Sequence, residues 1–205
     1  MEAYIVINRN ISLDKYDLSS KKIIGVEGGC LELINYGIKD FIAYGDFDSI
    51  SKEQLEIIKN NSKELIKLNP IKDITDTYGA YSLCKDCFKI TVLGGISGKR
   101  VDHLYANINL IKDDKRVELL DDFTYIKSLD EGEYYFNNDY YFYSFYPIED
   151  SLIDIKGDFR YKLDSYSLKE NDSLCISNQI DGKQGKLVIK KGRLLLICSK
   201  NDSIK

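Results

Sequence analysis

Asp46 and Asp48 stand two residues apart in the run Gly45-Asp46-Phe47-Asp48-Ser49-Ile50, directly after the short apolar segment 41–44. Two carboxylates at the end of a strand suit a hard cation such as Mg2+, which takes oxygen ligands and binds together with phosphates. The same spacing suits an acidic turn, because Asp and Ser readily bond their own backbone. Two further runs decide between these readings: Asp73-Ile74-Thr75-Asp76-Thr77, and Gly94-Gly95-Ile96-Ser97-Gly98-Lys99-Arg100-Val101-Asp102-His103. Glycines let backbone N–H groups close on phosphate oxygens, and Lys99 and Arg100 add positive charge beside them. Arg100 can also grip phosphate through two parallel hydrogen bonds, which a lysine cannot. Four carboxylates in one crevice would repel one another unless cations sat among them. The pattern therefore points to a nucleotide triphosphate held with Mg2+, with Asp46, Asp48, Asp73 and Asp76 around the metal.

For these loops to meet, the elements before them must lie side by side and run the same way. Short β-branched runs at 3–7 and 22–26, then apolar runs at 41–44, 64–68, 89–93 and 117–120, read as six strands. Helical spacing falls between most of them. Gly28-Gly29 opens a helix over 30–36 that Gly37 closes, Ser51-x-x-Gln54 is a capping box for a helix to about 60, and Leu55 and Ile58 face inward from it. Asp73 predicts an N-cap with Asp76 in the first turn, leading into a helical pattern over 78–87. Val101-Asp102-His103 begins a helix carrying Leu104, Ile108 and Ile111. Strands alternating with helices give an α/β domain with a mostly parallel sheet and helices on both faces. Ligands bind such sheets beyond the carboxyl ends of the strands, where all three loops emerge. Phe47 is expected in the core, leaving Asp46 and Asp48 toward the crevice.

From about residue 122 the pattern changes. Nine of the sixteen tyrosines lie between Tyr125 and Tyr166, and short alternating runs replace helical spacing, so an all-β domain over 122–205 follows an α/β domain over 1–121. Asp181-Gly182 and Lys191-Gly192 read as turns, the second closing a hairpin between 186–189 and 193–197. No Pro- or Ser-rich linker separates the halves.

With 43% hydrophobic and 30% charged residues and no long apolar run, the chain reads as a soluble globular protein without a membrane span or export signal. A net charge of -4 gives no broad electrostatic footprint for nucleic acid. Five scattered cysteines fit reduced thiols and a cytoplasmic location. Cys84-x-x-Cys87, inside a helical pattern with no second pair, reads as structural. His103, the one histidine, reads as a positioning N–H donor rather than an acid/base group.

The runs at 45–50, 72–77 and 94–103 resemble, in order and spacing, the signatures of the thiamine pyrophosphokinases (thiamine diphosphokinases). The resemblance continues through Phe159-Arg160-Tyr161-Lys162-Leu163, Ser177-Asn178 and Lys191-Gly192-Arg193-Leu194-Leu195, so it spans nearly the whole chain. It implies an N-terminal α/β catalytic domain, a C-terminal β-sandwich for thiamine binding and dimerisation, a homodimer with active sites at the subunit interface, and ATP with Mg2+ as donor. The hydroxyl of thiamine would attack the β-phosphorus of ATP and release AMP. It assigns Gly28, Gly29, Asp76, Thr77, Gly94, Gly95, Gly98, Arg100 and His103 to the nucleotide, and Ser177 and Asn178 to thiamine. Thr77 is open between phosphate contact and helix initiation. Asp102 is open between orienting Arg100, binding substrate and accepting the hydroxyl proton. Where the family has Ala-Asp-Gly-Gly, this chain has Val26-Glu27-Gly28-Gly29, which keeps the carboxylate on a side chain one methylene longer. Two alternatives stand beside this reading: diphosphate transfer to another alcohol such as a hydroxymethylpterin, and a nucleotide-binding regulatory protein without turnover.

Overall fold

The computed structural model describes residues 1–7, 11–69, 74–96 and 100–201, and divides into two compact units, Met1–Asp122 and Phe123–Lys205. Asp73, Gly98 and Lys99 fall outside the described residues. No helix is long and apolar enough to cross a membrane among those described.

In the first unit six strands form one parallel sheet: β1 (Glu2–Val6), β2 (Lys22–Val26), β3 (Ile42–Gly45), β4 (Glu64–Lys67), β5 (Lys89–Leu93) and β6 (Val117–Leu120). Their spatial order is β4-β3-β2-β1-β5-β6. The chain builds outward from β1 on one side, then returns to place β5 on the other, which makes the end of β1 a topological switch point. Helices α1 (Gly28–Asn35), α2 (Lys52–Asn61), α3 (Asp76–Ser82) and α4 (Val101–Asp113) connect them. Between β1 and β2 the connection holds a 3-10 turn, Leu13–Lys15, in place of a helix. α1 packs on α2 and α3 on α4, while α1 and α3 both touch β1 and β2, so the pairs cover the two faces. Central strands are buried on both faces: Ile5, Ile24, Ala43 and Ile90 are fully shielded.

Two helix boundaries differ from the sequence expectation. The N-cap of α3 is Thr75, whose side chain accepts from Tyr78 N at 3.2 Å, two residues beyond Asp73. Both residue types cap well, and the backbone path decides which one does. α3 also stops at Ser82, so Cys84 and Cys87 sit in the turn after it, buried. Burial pushes the Cys84 thiol up to about 12, which suits a packing role. The capping box at Ser51 and Gln54 forms as expected.

The second unit is all-β. β7 (Thr124–Leu129), β13 (Leu194–Ser199) and β9 (Phe142–Pro147) form one antiparallel sheet. β11 (Leu163–Leu168), β10 (Ser151–Phe159), β12 (Ile180–Lys191) and β8 (Gly132–Asn137) form the other. Inward residues of both, including Phe145, Phe159, Leu187 and Leu196, make one core, as in a β-sandwich. Phe136, Tyr143, Phe145 and Phe159 meet edge-on or tilted at ring separations of 5.6 to 6.0 Å, so the tyrosine-rich stretch is strand packing.

Both glycine turn signals act otherwise than expected. β12 pairs with β10 and β8, and β13 with β7 and β9, so Lys191-Gly192 carries the chain from one sheet to the other rather than closing a hairpin. Gly192, at φ 91, allows that passage beside Ser151. Asp181-Gly182 lies inside β12, where the missing Cβ leaves room for Asp158, whose carboxylate accepts from Lys183 N and Gln184 N at a break in register.

Candidate functional site

β2 ends abruptly. Glu27 takes φ 50 and ψ -120, a conformation costly for a residue with a side chain, and α1 begins at the next residue. Two bonds hold the corner: Glu27 N donates to Tyr44 O at 3.2 Å, and Glu27 O accepts from Cys30 N at 3.1 Å. Gly29 seats α1 against the end of β1, because a Cβ there would overlap the Val6 carbonyl. The corner directs the Glu27 side chain toward the end of β3. There Oε1 accepts from Phe47 N at 2.6 Å and Oε2 from Ser49 Oγ at 3.2 Å. Gly45 makes this possible: at φ 152 it has no Cβ, and one would overlap the Glu27 carboxylate.

The loop after β3 is thereby fixed. Phe47, at φ 58, buries its ring in the core at 4% exposure, as its apolar type predicted. Asp46 remains half-buried, with Oδ1 accepting from Asp48 N at 3.2 Å in a local Asp turn. The third carboxylate comes from α3, whose first residue is Asp76. That helix packs closely because Gly79 has no Cβ to strike the Tyr44 hydroxyl. Carboxylate oxygens of Glu27, Asp46 and Asp76 all lie within 4.8 Å of one another. Burial, and then the charges of Asp46 and Asp76, push the Glu27 carboxyl above its ordinary range despite the Phe47 and Ser49 bonds. Three hard oxygen donors that repel one another fit a divalent cation such as Mg2+.

The sequence-predicted residues distribute unevenly around this trio. Asp46 and Asp76 belong to it; Asp48 is exposed and enters it only through its backbone bond to Asp46. Thr77 is 7% exposed in the first turn of α3 and does not serve as the cap. Gly94 and Gly95, at φ 93 and 77, form consecutive left-handed positions after β5. Gly28 opens α1 directly after Glu27. Arg100 precedes α4, and its guanidinium makes a two-pronged contact with Asp102, Nε to Oδ1 at 3.0 Å and Nη2 to Oδ2 at 2.6 Å. Of the three roles open to Asp102, orienting Arg100 is the one this geometry displays. The guanidinium holds the Asp102 carboxyl down at about 2. His103 Nε2 is 4.0 Å from Asp102 Oδ2, and all three side chains are solvent-exposed.

In the second unit Ser177 is exposed at φ 59, and its N–H donates to Ser144 Oγ at 3.0 Å. Asn178 is 2% exposed. Its Oδ1 accepts from Tyr161 N at 3.0 Å and Gln179 N at 2.9 Å, and its Nδ2 donates to Tyr161 O at 2.8 Å. The amide is thus engaged by backbone.

Glu27 is the residue sequence reasoning missed as a member of the acidic cluster. The available signal was its place: a carboxylate directly after a central strand, at the same sheet edge as Asp46.

Comparison with known proteins follows the same lines. The family model for the thiamin pyrophosphokinase catalytic domain matches residues 13–120. A thiamine pyrophosphokinase of Bacillus subtilis (strain 168) is 31% identical over 112 residues, a match spanning 51% of this chain and 52% of that protein. The crystal structure of thiamine pyrophosphokinase from Bacillus subtilis superposes with a TM-score of 0.85 at 28% identity, covering 98% of this chain and 100% of that one. The thiamin pyrophosphokinase from Geobacillus thermodenitrificans superposes at 0.81 over the full length of both chains, and at 24% identity bears on the fold alone.

Proposed function

Since the chain belongs to the thiamin pyrophosphokinase family, we propose that it transfers the diphosphate of ATP to the hydroxyl of thiamine, giving thiamine diphosphate and AMP. The observation that carries the reading is the trio of Glu27, Asp46 and Asp76 at the carboxyl edge of a parallel sheet, the edge from which the paired left-handed glycines after β5 also emerge.

In this reaction the thiamine hydroxyl oxygen bonds to the β-phosphorus, the bond from that phosphorus to the α–β bridging oxygen breaks, and AMP departs with that oxygen. The hydroxyl proton is released. Such transfers depend mainly on alignment and on neutralising phosphate charge. Glu27, Asp46 and Asp76 would hold Mg2+, with the Asp48 backbone N–H keeping the Asp46 carboxylate in place; bound there, the metal would neutralise polyphosphate oxygens. Gly94 and Gly95 present backbone to phosphate, with Gly28, Gly29, Thr77 and His103 bounding the nucleotide. Arg100 exchanges part of its contact with Asp102 for the transferring phosphates. Ser177 offers an exposed hydroxyl to thiamine, while the Asn178 amide shapes that corner by holding Tyr161. The working form is a cytoplasmic homodimer with active sites at the subunit interface, the α/β unit binding nucleotide and the β-sandwich serving thiamine and dimerisation.

The test is incubation with Mg-ATP and thiamine, with products separated by chromatography. AMP and thiamine diphosphate should accumulate in equal amounts. ADP as product overturns diphosphate transfer, and AMP that appears only with a hydroxymethylpterin moves the activity to that acceptor.

A further inference from the structure

Tyr44 belongs to or touches each of the three elements that carry the acidic trio. It is the third residue of β3, two before Asp46. Its carbonyl accepts from Glu27 N at 3.2 Å, one of the two bonds that hold the corner where β2 ends. Successive side chains of a strand point to opposite faces. Ala43 packs in the core shared with Cys30 and Leu33 of α1 and Ile58 of α2, so Tyr44 points to the other face, which α3 covers. There the side chain is shielded, at 6% exposure, and lies against Gly79 of α3.

The fit at Gly79 leaves no slack. A Cβ there would overlap the Tyr44 hydroxyl oxygen and stand 2.8 Å from two ring carbons, closer than carbon atoms pack. Glycine weakens a helix interior relative to alanine, so its place in α3 is explained by this approach and not by helix formation. Gly79 follows Asp76 by three residues, which puts both on one face of the helix. A shift of α3 away from the sheet at Gly79 therefore carries Asp76 with it. Metal ligands must be held within about 0.5 Å of their binding geometry, so such a shift bears directly on the trio.

We propose that Tyr44 is the positioning residue of the trio: its ring, seated on Gly79, sets the spacing of α3 from β3 and so the separation of the Asp76 carboxylate from those of Glu27 and Asp46. The inference rests on the metal reading of the trio given above. Tyr44 acts on the ligands through α3 and through the Glu27 corner.

The test is metal binding by the full chain without nucleotide or thiamine. Mn2+, which shares the preference of Mg2+ for carboxylate oxygen, is titrated in, and the electron paramagnetic resonance signal of the free ion gives the affinity. Gly79→Ala should weaken binding by roughly 10- to 100-fold, the loss that follows removal of a group orienting metal ligands. Tyr44→Leu, which withdraws the ring and leaves α3 unsupported, should also bind more weakly than the parent. The double variant should bind more tightly than Gly79→Ala alone, because the added methyl then enters space the ring has left; independent defects would multiply instead. Parent affinity in a folded Gly79→Ala, or a double variant no tighter than Gly79→Ala, overturns the proposal. If Gly79→Ala does not fold, Tyr44→Leu decides: a lower melting temperature with unchanged Mn2+ affinity would make Tyr44 a packing residue and nothing more. Asp46→Asn is the control on the metal reading itself. If it binds Mn2+ as tightly as the parent, that reading fails and this inference with it; if it binds weakly while Gly79→Ala and Tyr44→Leu bind normally, the inference alone falls.

Discussion

Phe47 N donates to Glu27 Oε1 at 2.6 Å, so a side chain at the end of β2 sets the conformation of the loop that follows β3. The same carboxylate stands within the acidic trio, giving Glu27 two roles that oppose each other energetically. As an acceptor it satisfies a backbone donor; as a charge it is disfavoured by burial and by Asp46 and Asp76. Glu27→Gln separates them, since it keeps an acceptor and removes the charge. Without Mg2+ this variant should melt no lower than the parent, and the rise in Tm on adding Mg2+ should shrink, because a ligand stabilises the folded state by an amount that grows with the logarithm of its affinity. Glu27→Ala, which strands the Phe47 N–H, should lose about 1–3 kcal/mol without metal. Thermal melts with and without Mg2+ check both.

Gly45→Ala should be more damaging than its size suggests. A Cβ would overlap the Glu27 carboxylate, and φ 152 is strained for any other residue. A cost of about 1–3 kcal/mol is expected from the backbone alone, together with loss of the Mg2+ response. Combining it with Glu27→Ala should cost less than the sum of the two, with a coupling of roughly 0.5–3 kcal/mol in a double-mutant cycle.

These two residues mark the boundary of what the sequence makes legible. The parallel sheet, the acidic loop after β3 and the Ser51 capping box follow from periodicity and local hydrogen bonding, which are properties of neighbouring residues. Glu27 joins the trio only because its own backbone turns through φ 50 and because a glycine eighteen positions on leaves it space; neither is visible in residue type. Thr75 displaces Asp73 as N-cap because two equally good caps are resolved only by the path of the chain. Lys191-Gly192 has the composition of a hairpin turn, but which sheet each flanking strand joins is decided by the packing of the whole sandwich. That the Asn178 amide bonds the backbone of Tyr161, seventeen residues before it, is equally invisible in residue type.

Arg100 and Asp102 make a close but exposed pair, at 68% and 63% side-chain exposure. Such pairs contribute at most about 1 kcal/mol to stability. Arg100→Ala should therefore leave Tm nearly unchanged while lowering kcat/KM by roughly 10²-fold or more, the effect of removing a donor from developing phosphate charge. Asp102→Ala should also leave Tm unchanged, with a smaller loss that follows the misplacement of Arg100. Steady-state kinetics beside a thermal melt distinguish this from a structural role, in which Tm would fall with activity.

Asn178 is expected to act mainly through stability. Asn178→Ala removes both bonds to the Tyr161 backbone and should cost about 1–3 kcal/mol, the worth of two ordinary hydrogen bonds. Asn178→Asp keeps the acceptor for Tyr161 N and Gln179 N and should lose less. Urea denaturation followed by far-UV circular dichroism measures the difference; equal stability of all three forms would return Asn178 to direct contact with substrate.

Asp154 supplies the pH dependence of the second unit. Its buried carboxylate accepts from Lys156 Nζ, Lys190 Nζ and Ser165 N, each at 2.7 Å, tying β10 to β12 and β11. These bonds hold its carboxyl far below the usual range, Lys156 first, then Lys190 and the Ser165 N–H. A carboxyl depressed in the folded state stabilises it above the unfolded value, near 4, and that contribution fades as the pH falls below it. Asp154→Asn should therefore cost roughly 2–3 kcal/mol at pH 7, the worth of hydrogen bonds to a charged group. The gap between variant and parent should narrow steadily from about pH 4 downward. Urea titrations at pH 7, 4 and 3 test the sign directly: a gap that widened in acid would mean that Asp154 is held by something other than its charge.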